Sequence, residues 1–364
     1  MMRRLLIAVV IFLAGILLVP APVPLQAEEE HEAMWYRQLP DKRVQCELCP
    51  FKCVLSESQT GQCGVRKNIG GKLYSLNYGK VVSANVDPVE KKPVFHFLPG
   101  TSIYSIATAG CNLHCKYCQN WTISQKRPDE LRYRYMTPED IVAEAKRYDC
   151  RSIAYTYSEP IVFYELAYET AKLARAQGLK NVMVTSGYIN EEPLRQLCKV
   201  MDVIKVDFKA FDKDFYRNVV FGDLDTVLNT MKVIKEEGVW LEVVNLVVPT
   251  LNDSDDQIRG LCTWIKDNLG DDTPLHFSRF HPTYRLTNLP LTPVATLQRA
   301  YDIAKETGLK FVYIGNVARH PYESTYCPRC GRTLIRRAGY HILENNIENG
   351  ACRFCKEPTP GIWE

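Results

Sequence analysis

Ser102-Ile-Tyr-Ser-Ile-Ala-Thr108-Ala-Gly110-Cys111-Asn-Leu-His-Cys115-Lys-Tyr-Cys118 decides how this 364-residue chain is read. Five of the first seven residues are apolar, β-branched or aromatic, and the run predicts a strand. Directly after it comes a loop with cysteines in C-x3-C-x2-C spacing. Three thiolates can ligate three irons of a cubane and leave the fourth iron open. An open iron suits a bidentate amino-acid ligand, bound through its amino nitrogen and carboxylate, and an electron-carrying ferredoxin with all irons ligated has no such vacancy. A zinc knuckle would normally add a nearby fourth ligand. His114 lies inside the loop and reads as a local hydrogen-bonding residue.

Outward from this stretch, strand and helix signals alternate to about residue 320. Further strands are expected at Ser152–Tyr157, Asn181–Thr185, Val203–Phe208, Leu241–Val248, Leu275–Phe280 and Lys310–Ile314. Between them, helices are expected from Thr137-Pro138, over Val162–Gln177 and Asp223–Glu237, from Asp253 or Ser254, and from Thr292-Pro293. Gly178 and Gly238 stand where C-terminal caps belong. The alternation implies parallel pairing through right-handed crossovers. Seven strands with six or so helices predict an α/β fold, a partial (β/α)6-type TIM barrel over residues 101–320. No G-x-G-x-x-G follows the first strand, which argues against a dinucleotide domain. In such barrels the chemistry sits at the C-terminal ends of the strands.

Two regions flank the barrel. Residues 28–100 form a cysteine-rich N-terminal region with a hairpin expected at Gly70-Gly71, and residues 321–364 form a small ribbon. Eleven of the fourteen cysteines fall in three tight sets. One is Cys111, Cys115 and Cys118. Cys327, Cys330, Cys352 and Cys355 make C-x2-C…C-x2-C, a strong metal pattern for zinc or an auxiliary iron–sulfur cluster. Cys46, Cys49, Cys53 and Cys63 are close enough for a second metal or cluster, and their spacing does not choose between them. Cys150, Cys198 and Cys262 sit among apolar residues as small buried hydrophobes.

The net charge of +3 is scattered, so the composition carries no nucleic-acid footprint. Arg3-Arg4, the apolar run Leu5–Val19 and Leu25-Gln26-Ala27 read as a signal peptide or membrane anchor over residues 1–27. Export or membrane attachment through that segment is the expectation.

Cys111, Cys115, Tyr117 and Cys118 resemble the C-x3-C-x-aromatic-C signature of the radical S-adenosylmethionine superfamily. That resemblance implies a [4Fe–4S] cluster, S-adenosyl-L-methionine as cofactor, an external one-electron reductant, and a 5′-deoxyadenosyl radical that abstracts hydrogen. Tyr157-Ser158-Glu159-Pro160 resembles the family's G-G-E-P segment, in which the backbone and Glu159 would hold the methionyl ammonium. Thr185-Ser186-Gly187-Tyr188 resembles a T-N-G-Y turn, and Val206-Asp207-Phe208-Lys209 the D-x-K segment of glycyl-radical-enzyme activases. Ser186, Asp207 and Lys209 are therefore expected at the cofactor or substrate, as are Asn245, His276 and Asn316. Glu47-Leu48-Cys49-Pro50, Asp87–Pro93, Phe97–Gly100 and Pro360-Gly361-Ile362-Trp363 resemble the radical enzyme of the AmmeMemoRadiSam system, related to pyruvate formate-lyase activating enzymes. That group implies a cytoplasmic location, at odds with the leader, and a protein substrate or Memo-type partner. A glycyl-radical activase and a non-catalytic iron–sulfur or zinc scaffold are the alternatives.

Overall fold

Seven strands joined by helices lie side by side in the order in which the chain makes them. They are seen in a computed structural model that describes residues 30–364; the leader reading, residues 1–27, lies outside the described residues. The strands are β2 (Ser102–Thr108), β3 (Ser152–Tyr155), β4 (Lys180–Thr185), β5 (Val203–Asp207), β6 (Trp240–Val247), β7 (Leu275–Arg279) and β8 (Val312–Gly315), all parallel. An additional strand, β1 (Lys80–Pro88), pairs antiparallel with β2. The order is open, with β8 at one edge and the short Arg134–Tyr135 strand at the other. One crossover helix follows each strand from β2 to β7: α1 (Pro138–Arg147), α2 (Tyr164–Ala176), α3 (Glu191–Cys198), α4 (Leu224–Glu236), α5 (Asp255–Leu269) and α6 (Val294–Thr307).

A singly wound parallel sheet with crossovers of one hand puts every helix on the same face, and side-chain period two then splits each strand between two cores. On the helix side Tyr104, Ile153, Met183, Ile204, Leu241 and Leu275 are buried in the large core. On the inner side Ile103, Ala154, Val182 and Val203 pack against Val89, Val94, Phe97 and Leu98. The segment before β2 thus plugs the N-terminal mouth of the barrel. The terminal Ile362 locks it there, its N–H donating to His96 O at 2.8 Å and its carbonyl accepting from Leu98 N at 2.8 Å.

The expected strands differ from the observed ones by at most two residues at each end. Glu191–Cys198 carried no strong cap signal and was not among the expected helices; buried Leu194, Leu197 and Cys198 seat it. The Gly70-Gly71 hairpin forms between Arg66–Ile69 and Lys72–Ser75, both glycines having positive φ. Residues 31–364 make one compact unit, so the N-terminal region is continuous with the barrel. The C-terminal ribbon, β9 (Thr333–Ala338) and β10 (His341–Asn345) with Thr325–Tyr326, docks on the plug. Its buried Arg337 donates to Phe95 O at 2.8 Å and to Thr325 Oγ1 at 2.8 Å. Among the described residues no helix is long and apolar enough to cross a membrane.

Candidate active site

The three-cysteine loop leaves the C-terminal end of β2 through Gly110, whose φ is +99°. A Cβ there would lie 2.6 Å from Val65 Cγ1 and 2.9 Å from Cys63 O, so only glycine fits. The loop is pinned from all sides. Asn112 Nδ2 donates to Tyr188 O (2.7 Å), Gln125 Nε2 to Leu113 O (3.0 Å) and Lys116 N to Val219 O (3.0 Å). His114 bonds Gln125 Oε1 through Nδ1 at 2.6 Å, a local partner. Cys115 is buried, and burial pushes its thiol up to about 12 and that of Cys111 well above the ordinary range. In so dry a place a thiolate persists only beside a positive metal centre.

Around the loop three buried polar atoms, Asn112 Oδ1, Tyr117 OH and Ser158 Oγ, have no hydrogen-bond partner. Native interiors rarely leave such atoms alone unless a ligand completes them. Three thiols on one loop with orphan polar atoms beside them fit a three-cysteine cluster with a polar organic cofactor.

The strand ends depart from expectation at Glu159. Its carboxylate is 2% exposed and does not stand free to meet an ammonium. Oε1 accepts from Thr185 Oγ1 (2.6 Å) and Ile161 N (3.2 Å), and Oε2 from Ser186 N (2.8 Å) and Ser186 Oγ (2.6 Å). A carboxylate offers about four acceptor sites, and all are used. Glu159 is a clasp between the ends of β3 and β4, and Ser186 is the other half of that clasp.

At β5 the inward-facing row is Lys205 and Asp207, followed by Lys209. Asp207 receives Lys205 Nζ in a short contact and Lys209 Nζ at 3.3 Å. Its side chain keeps 34% of its surface open, against 5% for Lys205 and 13% for Lys209. Burial opposes ionisation, yet the two ammonium groups hold the Asp207 carboxyl down to about 2. Lys209 is held well above its ordinary value, the Asp207 charge outweighing burial. The expected pair is therefore a triad. Lys205 was missed although it stands two residues before Asp207, the spacing that puts strand residues on one face.

Of three other expected contacts, Asn245 and His276 point away from the mouth and Asn316 stands at its rim. Asn245 alternates onto the helix side and donates through Nδ2 to Phe208 O (2.8 Å) and Lys209 O (3.2 Å), so it shapes the turn that carries Lys209. His276 sits low in the barrel, 2% exposed, with Nε2 2.7 Å from Glu242 Oε2. Glu242 also accepts from Phe95 N (3.0 Å) and His96 N (2.8 Å). Burial lowers the imidazole's pKa, so a neutral ring donates to an ionised carboxylate. That network anchors the plug, and it accounts for the buried His276 on β7. Asn316, φ +59°, is exposed after β8 and donates to Ser278 Oγ at 2.8 Å.

The two flanking cysteine sets differ in geometry. Among the described residues only Cys327, Cys330, Cys352 and Cys355 bring their sulfurs all within 4.8 Å of one another. The Cys327–Cys355 and Cys330–Cys352 separations are 3.6 and 3.8 Å. Tetrahedral Zn–S bonds of about 2.3 Å imply S···S edges of about 3.8 Å. Cys46, Cys49, Cys53 and Cys63 instead line a largely enclosed apolar cavity beside Asn112.

Residues 105–264 match the family model described as the radical SAM superfamily. An uncharacterised protein of Methanocaldococcus jannaschii is 50% identical over 328 residues, covering 90% of this chain and 98% of that protein. The chain belongs to the radical SAM superfamily. Among its relatives, the pyruvate formate-lyase-activating enzyme of Clostridium pasteurianum is 26% identical over 167 residues, 43% of this chain and 67% of that enzyme. That of Escherichia coli K12 is 20% identical over 56% of this chain and 89% of the enzyme. A solved structure, Streptococcus suis SuiB, aligns with a TM-score of 0.47 at 13% identity, over 64% of this chain and 52% of that one. This radical SAM chain is therefore an enzyme, with a mixed α/β fold around a central parallel sheet.

Proposed function

We propose that Cys111, Cys115 and Cys118 hold the [4Fe–4S] cluster of a hydrogen-abstracting enzyme whose substrate enters the C-terminal mouth of the barrel. The observation that carries this is the meeting of three thiols on one pinned loop, the orphan Tyr117 OH and Ser158 Oγ, and the Lys205–Asp207–Lys209 triad. When bound, the cluster and S-adenosylmethionine supply a 5′-deoxyadenosyl radical by one-electron reductive cleavage. The chain's own residues bind, orient and exclude water. The Glu159 clasp fixes the rim between β3 and β4, so that backbone polar groups there stand at set positions for an ammonium. Asp207, ionised and partly open, offers a charge and acceptor to a polar group of cofactor or substrate, while Lys205 and Lys209 keep it ionised and oriented. Tyr117 and Ser158 supply the remaining hydrogen bonds.

Resemblance to the AmmeMemoRadiSam enzymes supports a protein substrate or a Memo-type partner. Similarity to pyruvate formate-lyase-activating enzymes over the barrel supports a second reading, hydrogen abstraction from a glycine of a partner enzyme. The ribbon cysteines, with edges matching a single tetrahedral ion, fit zinc in a structural role, because they sit against the plug at the opposite mouth.

The test is anaerobic reconstitution with iron and sulfide, then dithionite and S-adenosylmethionine. Formation of 5′-deoxyadenosine and methionine is expected. An intact cluster that yields neither would refute the reading.

A further inference from the structure

The four cysteines Cys46, Cys49, Cys53 and Cys63 take no part in the site described so far, yet the fold brings them to its edge. They come from Val44–Cys46, the turn that follows it, and the loop before Arg66–Ile69, and their side chains line one largely enclosed cavity with Arg66, Asn112, Ile161 and Val162. Asn112 adjoins Cys111. Cys63 O closes on Gly110, where even a Cβ would approach to 2.9 Å. The turn is also fastened to the barrel rim, since Asn190 donates from Nδ2 to Glu47 O (2.6 Å) and from its backbone N–H to Leu48 O (3.0 Å). Phe51 packs edge-on to Tyr188 at 5.3 Å. The four thiols are therefore a fixed feature of the same mouth that holds the three-cysteine loop.

Arg66 is the charged residue among those that line this apolar cavity. It is 2% exposed and paired with Glu165, which is fully buried. Its Nη2 donates to Glu165 Oε1 at 2.9 Å and also to Met34 O; its Nη1 donates to Glu165 Oε2 at 3.3 Å. The Nε–H of the same guanidinium is buried with no partner at all. A buried donor on a cation is costly to leave unmet, and Arg66 lines the same cavity as the four cysteines.

Sulfur spacing distinguishes what could fill this place. A single zinc needs S···S edges of about 3.8 Å, as the ribbon provides. No three of Cys46, Cys49, Cys53 and Cys63 have sulfurs within 4.8 Å of one another, although all four face one cavity. They surround something wider than one ion. The four sulfurs belong to the cavity wall, and the irons and sulfides of a cluster would have to occupy the space between them.

We infer that Cys46, Cys49, Cys53 and Cys63 ligate a second [4Fe–4S] cluster beside the first, with the Arg66 Nε–H donating to one of its sulfurs. Four thiols lose their protons as the irons and sulfides bind. Burial, the guanidinium charge and the N–H donor are the levers by which a protein sets the potential of such a cluster. The inference goes beyond the proposed function and stands independently of whether the first cluster cleaves S-adenosylmethionine.

The experiment uses the full chain carrying Cys111→Ala, Cys115→Ala and Cys118→Ala, reconstituted anaerobically and checked for native circular dichroism. Iron and sulfide at about half of the wild-type content, with an electron paramagnetic resonance signal after dithionite, are expected. Adding Cys46→Ala and Cys49→Ala should remove both. A folded triple variant without iron, or with a second zinc per chain in its place, overturns the inference while leaving 5′-deoxyadenosine formation by the wild type untouched. Retained iron alongside a wild type that makes no 5′-deoxyadenosine supports this site and defeats the proposed function instead. Arg66→Lys keeps a cation opposite Glu165 but removes the Nε–H, so the midpoint potential of the remaining cluster should move negative. An unmoved potential removes Arg66 from the site.

Discussion

Glu159→Gln separates two roles that one carboxylate could have at this rim. The amide keeps one acceptor oxygen and turns an NH2 toward the other pair of donors. It is expected to keep its oxygen on Ser186, where both bonds are under 3 Å, and to face its NH2 to Thr185 Oγ1 and Ile161 N, whose bond is the longer at 3.2 Å. The Thr185 hydroxyl can rotate to accept; the Ile161 N–H cannot. One buried backbone donor is then unmet, at about 1–3 kcal/mol. The two bonds to Ser186 lose their charge assistance, roughly 1 kcal/mol each. Burial raises the pKa of this carboxyl, so removing its charge returns part of that loss. A net destabilisation of about 3 kcal/mol follows. Unfolding entropy of roughly 2.1 cal/mol/K per residue over residues 30–364 is about 0.7 kcal/mol/K, which makes this a fall in Tm of about 4 °C. Anaerobic calorimetry of the variant, with the S-adenosylmethionine Kd of the cluster-loaded form, is the assay. The Kd should change by less than about tenfold, or 1.4 kcal/mol. An unchanged Tm with a much larger loss of affinity would show that the carboxylate faces the cofactor, and the clasp argument would fail.

Cys115→Ala should abolish both the first cluster and 5′-deoxyadenosine formation, as read by product chromatography; retained cleavage would place the cluster elsewhere. Cys330→Ala should deplete zinc and expose residues 325–358 to proteolysis while iron content and cleavage persist, and lost iron would contradict a separate ribbon site. His96, fully buried, is lowered to about 4 by burial. The unfolded chain therefore binds more protons than the folded one between about pH 4 and 6.5, and stability rises with pH across that window. His96→Gln should flatten the pH dependence of Tm between pH 5 and 6.5; an unchanged slope would assign it to other groups. Asp207→Asn leaves Lys205 and Lys209 facing each other without a counter-charge. Lower S-adenosylmethionine or substrate affinity and a loss of stability below the 3–5 kcal/mol of a fully buried pair are expected, because Asp207 is one-third open; calorimetry with binding measurements checks both.

The barrel was legible because its signals are local. A run such as Ser102–Thr108 followed by a cysteine loop, or Thr137-Pro138 opening a helix that Asp140 caps in return, says what it is from adjacent residues. Residue types at the rim were legible for the same reason, but the direction in which each points was not. Asn245 and Glu242 lie on one strand three residues apart, and parity alone sends one to the helix layer and the other to the interior. Parity could have been counted for Lys205. Partners at long range could not: His276 is expected at the cofactor or substrate, but its partners, Glu242 and the plug around Phe95 and His96, lie 34 and about 180 residues away in the chain. Glu159 is expected opposite an ammonium, but Thr185 and Ser186, which take most of its acceptor sites, come from the end of the next strand. Polarity on a buried strand calls for partners, and only the folded chain says whether those partners are protein or ligand.

Cysteine spacing behaved in the same way. C-x2-C occurs in all three sets, and its geometry differs between the two that flank the barrel. In the ribbon, Cys327-x2-Cys330 and Cys352-x2-Cys355 come from two knuckles that meet face to face, which draws four sulfurs to single-ion distance. In the N-terminal region, Cys46 and Cys49 come from one strand and its turn while Cys63 arrives from the loop before Arg66–Ile69, and all line one cavity. The wide set borders the radical-generating mouth and the narrow set borders the plug. If electrons reach the Cys111–Cys118 loop through the protein, the wide set is the one placed to pass them. The ribbon is separated from that loop by the depth of the barrel and by a core of Val89, Val94, Phe97 and Leu98. On the proposed assignments, structural and redox metal sites lie at opposite mouths, and sulfur spacing rather than the cysteine motif separates them.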